Sequence, residues 1–310
     1  MSDVLNYSNF APYKVSAVSY QGKKYGLPFD TGVAGLFYRT DYLNEIGYTQ
    51  DKMQNLTWDE YLSLGPKLKA KGHMLQTFNP NDISDFQIML QSAGTWFTDK
   101  SGNANFTNNE ALKEAYSIFK KLHSSDFCKV ISDQSGFTGA INGGSVACVM
   151  RGCWISSTIL QGKDQSGKWA VAPIPKLSVS GATHFANQGG SSMFVLKNSK
   201  HSEVAAKFLA KTFGSNADLY NTLLENKNIM GTYLPAANVK AYDMEAKFYG
   251  GQKVNKLLSQ WLAKIPAVET GAYSSEAQAA LVSVTPKYLA GGDLNACLTA
   301  AAAQFKQAAQ

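Results

Sequence analysis

The stretch YGLPFDTGVAGLFYRTDYL, Tyr25 to Leu43, decides how this chain reads. An aromatic-rich extended run breaks at Pro28 and Gly32, then resumes as a second extended run. Proline fixes its own φ and glycine tolerates conformations that other residues avoid, so the break is a directed bend inside extended chain. No catalytic signature stands beside it. What a segment without chemistry is for becomes clear only from the rest of the chain.

Outward from that stretch the order is mixed α/β. TWDEYLSLGPKLKAKG opens with Thr57 as a helix N-cap and Glu60 three residues on, and repeats Tyr61, Leu64 and Leu68 at helical spacing before Gly72. NNEALKEAYSIFKKLHSSDF carries Leu112, Ala115, Ile118, Phe119 and Leu122 on one stripe. GSVACVMRGCW reads as a strand ending at Gly152, and KWAVAPIPK as a short strand closed by two prolines. GGSSMFVLKNS begins a strand after a glycine pair, and HSEVAAKFLAKTFGS follows as an amphipathic helix. From Asn255 the chain is mainly helical, interrupted at Pro266 to Tyr273 and at Gly291-Gly292.

Composition excludes several classes. With 310 residues there is room for two domains, and 45% hydrophobic with 17% charged residues is ordinary for a globular protein. The net charge of +6 is spread without a basic block, so nucleic acid is not expected as a partner. No apolar run approaches the ~20 residues needed to cross a bilayer. MSDVLNYSNFAPY has neither a basic start nor an apolar core, so no secretory signal is read in this chain. Four scattered cysteines, Cys128, Cys148, Cys153 and Cys297, do not make a disulfide framework; for Cys148 and Cys153 buried free thiols are favoured over a local disulfide.

Catalytic and metal constellations are sparse. His73, His123, His184 and His201 never fall at the spacing that puts two imidazoles on one helix face, and neither a phosphate-binding nor a dinucleotide-binding glycine loop occurs. The serine of GGSVA precedes a strand instead of following one, which is wrong for a nucleophile elbow. NPNDISD resembles half a calcium loop but lacks the turn glycine and closing glutamate, so it reads as a solvated loop and helix cap. No catalytic residue, metal ligand or cofactor is expected. What recurs is an aromatic at the end of an extended run: Trp96 in SAGTWF, Trp154 in RGCW, Phe29 beside Asp30, and Tyr273 in ETGAYSS. A flat apolar face beside exposed backbone N–H groups, such as those at Gly189-Gly190, suits a sugar ring with its C–H face and hydroxyl rim.

Taken in order, GKKYGLPFDTGVAGLFYRTDYLNEIGY, TWDEYLSLGPKLKAKG, SAGTWF, INGGSVACVMRGCW, WAVAPIPK, NQGGSSMFVLKNSKHSEVAAKFLAKTF and YLPA resemble the extracellular solute-binding proteins of ABC transporters, in the maltose-binding-protein-like, sugar-binding group. The resemblance implies a two-lobe, type II periplasmic-binding-protein-like α/β fold joined by three crossing segments, with Tyr25 to Arg39 as the first crossing. It implies lobe one at 1–29 and 188–272 and lobe two at 30–187 and 273–310. Family members carry a longer stretch before Y-G-L-P than stands here, so lobe one is expected to be incomplete. Matching site positions are Trp154 as the stacking platform, Trp96 as the aromatic of the G-G-x-W/F loop, Gly189, Gly190 and Ser191 at the second crossing, Asp30 and Thr31 at the first, and Glu269 and Tyr273 near the third. The implied function is a carbohydrate receptor, extracytoplasmic and monomeric when full length, that delivers its sugar to a membrane permease. The alternative is a carbohydrate-active enzyme, which needs two carboxylates ~5 to 9.5 Å apart across a cleft; only Asp30 and Glu269 are acids assigned near it.

Overall fold

The structure, a computed structural model, describes residues 4–309. At its centre lies the strand Ala34–Arg39, the second half of the opening stretch. It pairs antiparallel with Cys148–Gly152 on one side and with Trp169–Ala172 on the other, so that Leu36 stands opposite both Met150 and Ala172. All of its residues are buried. Leu36 and Tyr38 point into one apolar core while Val33 and Phe37 point into another, which is why the sequence there is a continuous apolar run without alternation.

The first core is built by the helices Trp58–Lys69, Ser84–Ser92, Glu110–His123, Ser274–Leu289 and Leu294–Ala308 over one face of the sheet. The capping box at Thr57 is formed: Glu60 N–H donates to Thr57 Oγ1 at 3.2 Å, and Thr57 N–H donates to Glu60 Oε2 at 2.8 Å. The second core joins Phe10, Tyr13 and Leu27 to Tyr220, Tyr233 and Trp261, and reaches Phe37 and Val171 of the sheet. A Cβ on Gly35 would lie 2.7 Å from Val171 and 3.6 Å from Trp261, so this glycine lets the helix Val254–Leu262 approach the sheet. That helix falls inside 188–272, yet its Trp261 packs on strands of 30–187.

The crossings run side by side. Gly26–Pro28 pairs antiparallel with Ser192–Phe194. The pairing continues through Phe29 N–H to Ser191 O (3.2 Å), Gln188 N–H to Gly32 O (2.7 Å) and Ala34 N–H to Ala186 O (2.9 Å). The approach is so close that a Cβ on Gly32 would sit 1.9 Å from the Gln188 carbonyl oxygen; only glycine fits the bend. Asn187 ties the junction together: its Oδ1 accepts from Gly32 N–H (2.8 Å), Tyr13 Oη (3.1 Å) and Thr31 Oγ1 (3.2 Å). A third passage follows Ile265, where Pro266 O accepts from Gln91 Nε2 at 3.4 Å and Thr270 O from Thr98 Oγ1 at 3.3 Å.

One element departs from its pattern. The amphipathic helix Ser202–Thr212 has no buried side chain, in contrast to Glu110–His123, where Leu112, Ala115, Ile118, Phe119 and Leu122 are all buried. Phe194 and Leu196, just past the second crossing, are 56% and 72% exposed, and Val204 and Phe208 of the helix 67% and 60%.

Candidate functional site

Beside the crossings lies a cavity of about 460 Å³. Gln188 and Gly189 of the second crossing form its floor. Its sides include Asn79, Asp82 and Asp85, where the strand Gln76–Phe78 passes into the helix Ser84–Ser92, together with Asp133, Phe137, Arg151 and Trp154.

Trp154 stands on the short turn Cys153–Ile155 directly after the strand Cys148–Gly152. Its indole N–H donates to Gln188 O at 2.9 Å, which locks one edge of the ring to the second crossing, and the side chain remains 42% exposed. A Cβ on Gly152 would lie 2.5 Å from that nitrogen, so the glycine before Cys153 makes room for the ring to lie back on the floor. A tryptophan held by its polar edge with an open face is a stacking surface.

Arg151 organises the wall. Its guanidinium forms a short ion pair with Asp85, lies 3.8 Å from Asp82, donates to Met150 O at 3.0 Å and covers the Phe137 ring at 5.3 Å. Burial pushes the Asp85 carboxyl above its ordinary value, and the Arg151 charge opposes that shift. Asp133 caps the helix Gln134–Asn142 by accepting from Gly136 N–H at 2.8 Å, and Asp82 turns the chain two residues ahead by accepting from Ser84 N–H at 2.8 Å. The backbone N–H on Asp133 holds its carboxyl below the usual range. Gln188 is held on both sides, taking Gly152 N–H at 3.3 Å and donating to Ser84 O at 3.3 Å.

Of the residues singled out in the sequence, the structure brings Trp154 and Gly189 together in this cavity. Gly190 packs against Asp30, where a Cβ would lie 2.6 Å from the Asp30 carbonyl, and Ser191 N–H donates to the Asp30 carboxylate; these three lie along the paired crossings beyond the lining. Thr31 is buried and turned toward Tyr13 and Asn187. Trp96 is 9% exposed and sits in the first core, edge-on to Phe97, with its N–H given to Ser274 Oγ at 2.9 Å. Glu269 and Tyr273 are exposed on the third passage and do not line the cavity. NPNDISD, read as a loop and cap, is a loop whose Asp82 closes a turn onto Ser84 N–H, but the N-cap of the helix is Ile83, which makes no side-chain cap bond; the loop also lines the cavity. Arg151 and Gln188 received no attention in the sequence; the usable signal was an arginine one residue before Gly152 with two aspartates free to meet it.

The four cysteines are buried and free. Burial pushes the Cys148 and Cys153 thiols up to about 12 and Cys128 to about 11, against an ordinary 9.0. Between those values the unfolded chain loses its protons first, so these thiols cost stability as pH rises above 9 and nothing below it. In the native protein at pH 8 a disulfide reagent is expected to find these three thiols unreactive, and to titrate all four cysteines once urea unfolds the chain; rapid native labelling of Cys153 would contradict this burial. Among the described residues no group of three or more His, Cys, Asp or Glu side chains stands together as a metal site, and no helix is long and apolar enough to cross a membrane.

The family model for bacterial extracellular solute-binding proteins matches residues 1–248. The chain belongs to that family. Among relatives of this solute-binding chain, the lactose-binding protein of Rhizobium radiobacter is 38% identical over 301 residues, covering 97% of this chain and 71% of the relative. The arabinooligosaccharide-binding protein of Bacillus subtilis (strain 168) is 29% identical over 224 residues, 69% of this chain and 51% of its own length. A crystal structure of an extracellular solute-binding protein of family 1 superposes with a TM-score of 0.81 at 18% identity, covering 98% of this chain and 78% of that one. The fold is thus the two-lobe α/β fold of solute-binding proteins.

Proposed function

We propose that the chain is the carbohydrate receptor of an ABC importer, capturing a mono- or oligosaccharide between lobes and delivering it to a membrane permease. The supporting observation is the Trp154 face, fixed by Gln188 O and ringed by Asp82, Asp85, Arg151 and Asn79. A pyranose offers C–H groups to an aromatic face and hydroxyls to planar polar side chains, and both are supplied from one cavity large enough for a small saccharide. The names of the lactose- and arabinooligosaccharide-binding relatives agree with that ligand class. The receptor works outside the cytoplasm, as a monomer and without nucleic acid, with lobe one at 1–29 and 188–272 and lobe two at 30–187 and 273–310. Closure bends the paired crossings, where Gly189 and Gly190 already hold positive φ of 87° and 79°.

Site residues assigned here are Trp154 as platform, Gly189 as floor, and Asp82, Asp85, Arg151 and Asn79 as hydroxyl partners. The proposed role is that of a receptor and not an enzyme, in keeping with the solute-binding family and relatives; Asp30 is engaged by Ser191 N–H and Glu269 lies on the exposed third passage, so the two acids named for an enzyme do not line this cavity. Calorimetry with lactose, arabinobiose and maltose is expected to give saturable binding to at least one, with the sugar recovered intact by chromatography. No binding to any of them, or a cleaved product, would overturn the assignment.

A further inference from the structure

The cavity is acidic although the chain is basic. Its lining holds Asp82, Asp85 and Asp133 against one guanidinium, Arg151, and contains neither lysine nor histidine, while the chain as a whole carries +6. Arg151 is already committed: Asp85 takes its charge, Met150 O takes one of its N–H groups and Phe137 lies beneath it. Among the described residues no free cation lines the cavity to receive an anionic group. The negative face of the Trp154 ring adds to the repulsion of an anion and attracts a cation. Asp133 stays charged because backbone N–H groups stabilise its carboxylate.

From this placement we infer, resting on the carbohydrate reading above, that the receptor selects by charge: it takes neutral and amine-bearing sugars and rejects uronic acids. A carboxylate added to a sugar held in this cavity would share it with Asp82 and Asp133 and meet no uncommitted cation in the lining. In a partly solvated cleft a like-charge contact of that kind is expected to weaken binding by roughly tenfold, and salt relieves it. A protonated amine at a ring carbon would gain the complementary attraction.

The test is calorimetry with three matched disaccharides: lactose, its free-amine analogue lactosamine, and the analogue oxidised to a carboxylate at the galactose C6. If another neutral sugar is the one that binds, its amine and carboxylate analogues replace these. The expected result is amine binding at least as tight as neutral, and carboxylate binding at least tenfold weaker, with the gap narrowing at 0.5 M salt and in Asp82→Asn or Asp133→Asn. Carboxylate and neutral forms bound within twofold of one another would overturn the inference while leaving the receptor reading intact. A gap insensitive to salt and to both substitutions would overturn it too, by showing steric exclusion. Failure of every neutral sugar to bind would take down the receptor reading, and the inference with it.

Discussion

Arg151→Met is expected to lower the stability of the folded chain at neutral pH by about 3 kcal/mol. Removing one partner of a buried ion pair typically costs ~3 to 5 kcal/mol, because the other charge is left behind unpaired; with Arg151 and Asp85 side chains 16% and 21% exposed, the low end applies. Methionine keeps much of the apolar contact with Phe137, so the loss is chiefly electrostatic. The pH dependence follows from Asp85. Its carboxyl already titrates above its ordinary value because burial favours the protonated form, and without Arg151 nothing opposes that shift. A group raised in the folded state contributes its stability below the unfolded pKa and loses it as pH rises, so the deficit of the variant should be full at pH 7 and shrink toward pH 4. Urea midpoints at both pH values measure this. A loss below ~1 kcal/mol, of the size seen for exposed pairs, would mean the pair is solvated and does not organise the wall.

Trp154→Ala is expected to weaken sugar binding by roughly ten- to a hundredfold while leaving the fold intact. The scale is a loose analogy with base–aromatic stacking, worth ~1 to 3 kcal/mol on alanine substitution, and ~1.4 kcal/mol is a tenfold change in affinity. Trp154→Phe separates two roles, since it keeps an aromatic face and drops the N–H that holds Gln188 O. Phenylalanine should recover part of the affinity. Calorimetry on both variants decides the matter: alanine binding within twofold of the parent protein would remove Trp154 from the site.

The opening stretch gave up most of the architecture because its constraints are backbone constraints. Gly32 has to be glycine against the Gln188 carbonyl, and the run 34–38 has to be free of charge between two cores, so both are visible as residue types. Trp154 was singled out where a strand ends and the chain turns, and there the structure shows Gly152 clearing space for its ring and its face left partly exposed. Trp96 was not distinguishable from it: an aromatic beside a turn looks the same in sequence whether its N–H meets Gln188 O or Ser274 Oγ. NPNDISD concealed its place in the cavity because the short polar residues that turn a loop are also those that line a polar cleft, and only Arg151, distant in sequence, tells the two apart. The stripe of Ser202–Thr212 gave the correct helix, but periodicity says which side is apolar and nothing about what lies against it.

That stripe affects how the protein behaves in the test tube. Phe194, Leu196, Val204 and Phe208 present benzyl and branched alkyl groups to water from one short span of the sequence, 194–208. A fluorescent probe of apolar surface such as ANS should therefore brighten on the native protein at neutral pH, with near-UV circular dichroism still showing fixed tertiary packing. The same brightening is elsewhere a mark of the molten globule; here it would report a well-folded molecule, and Phe208→Lys should extinguish most of it.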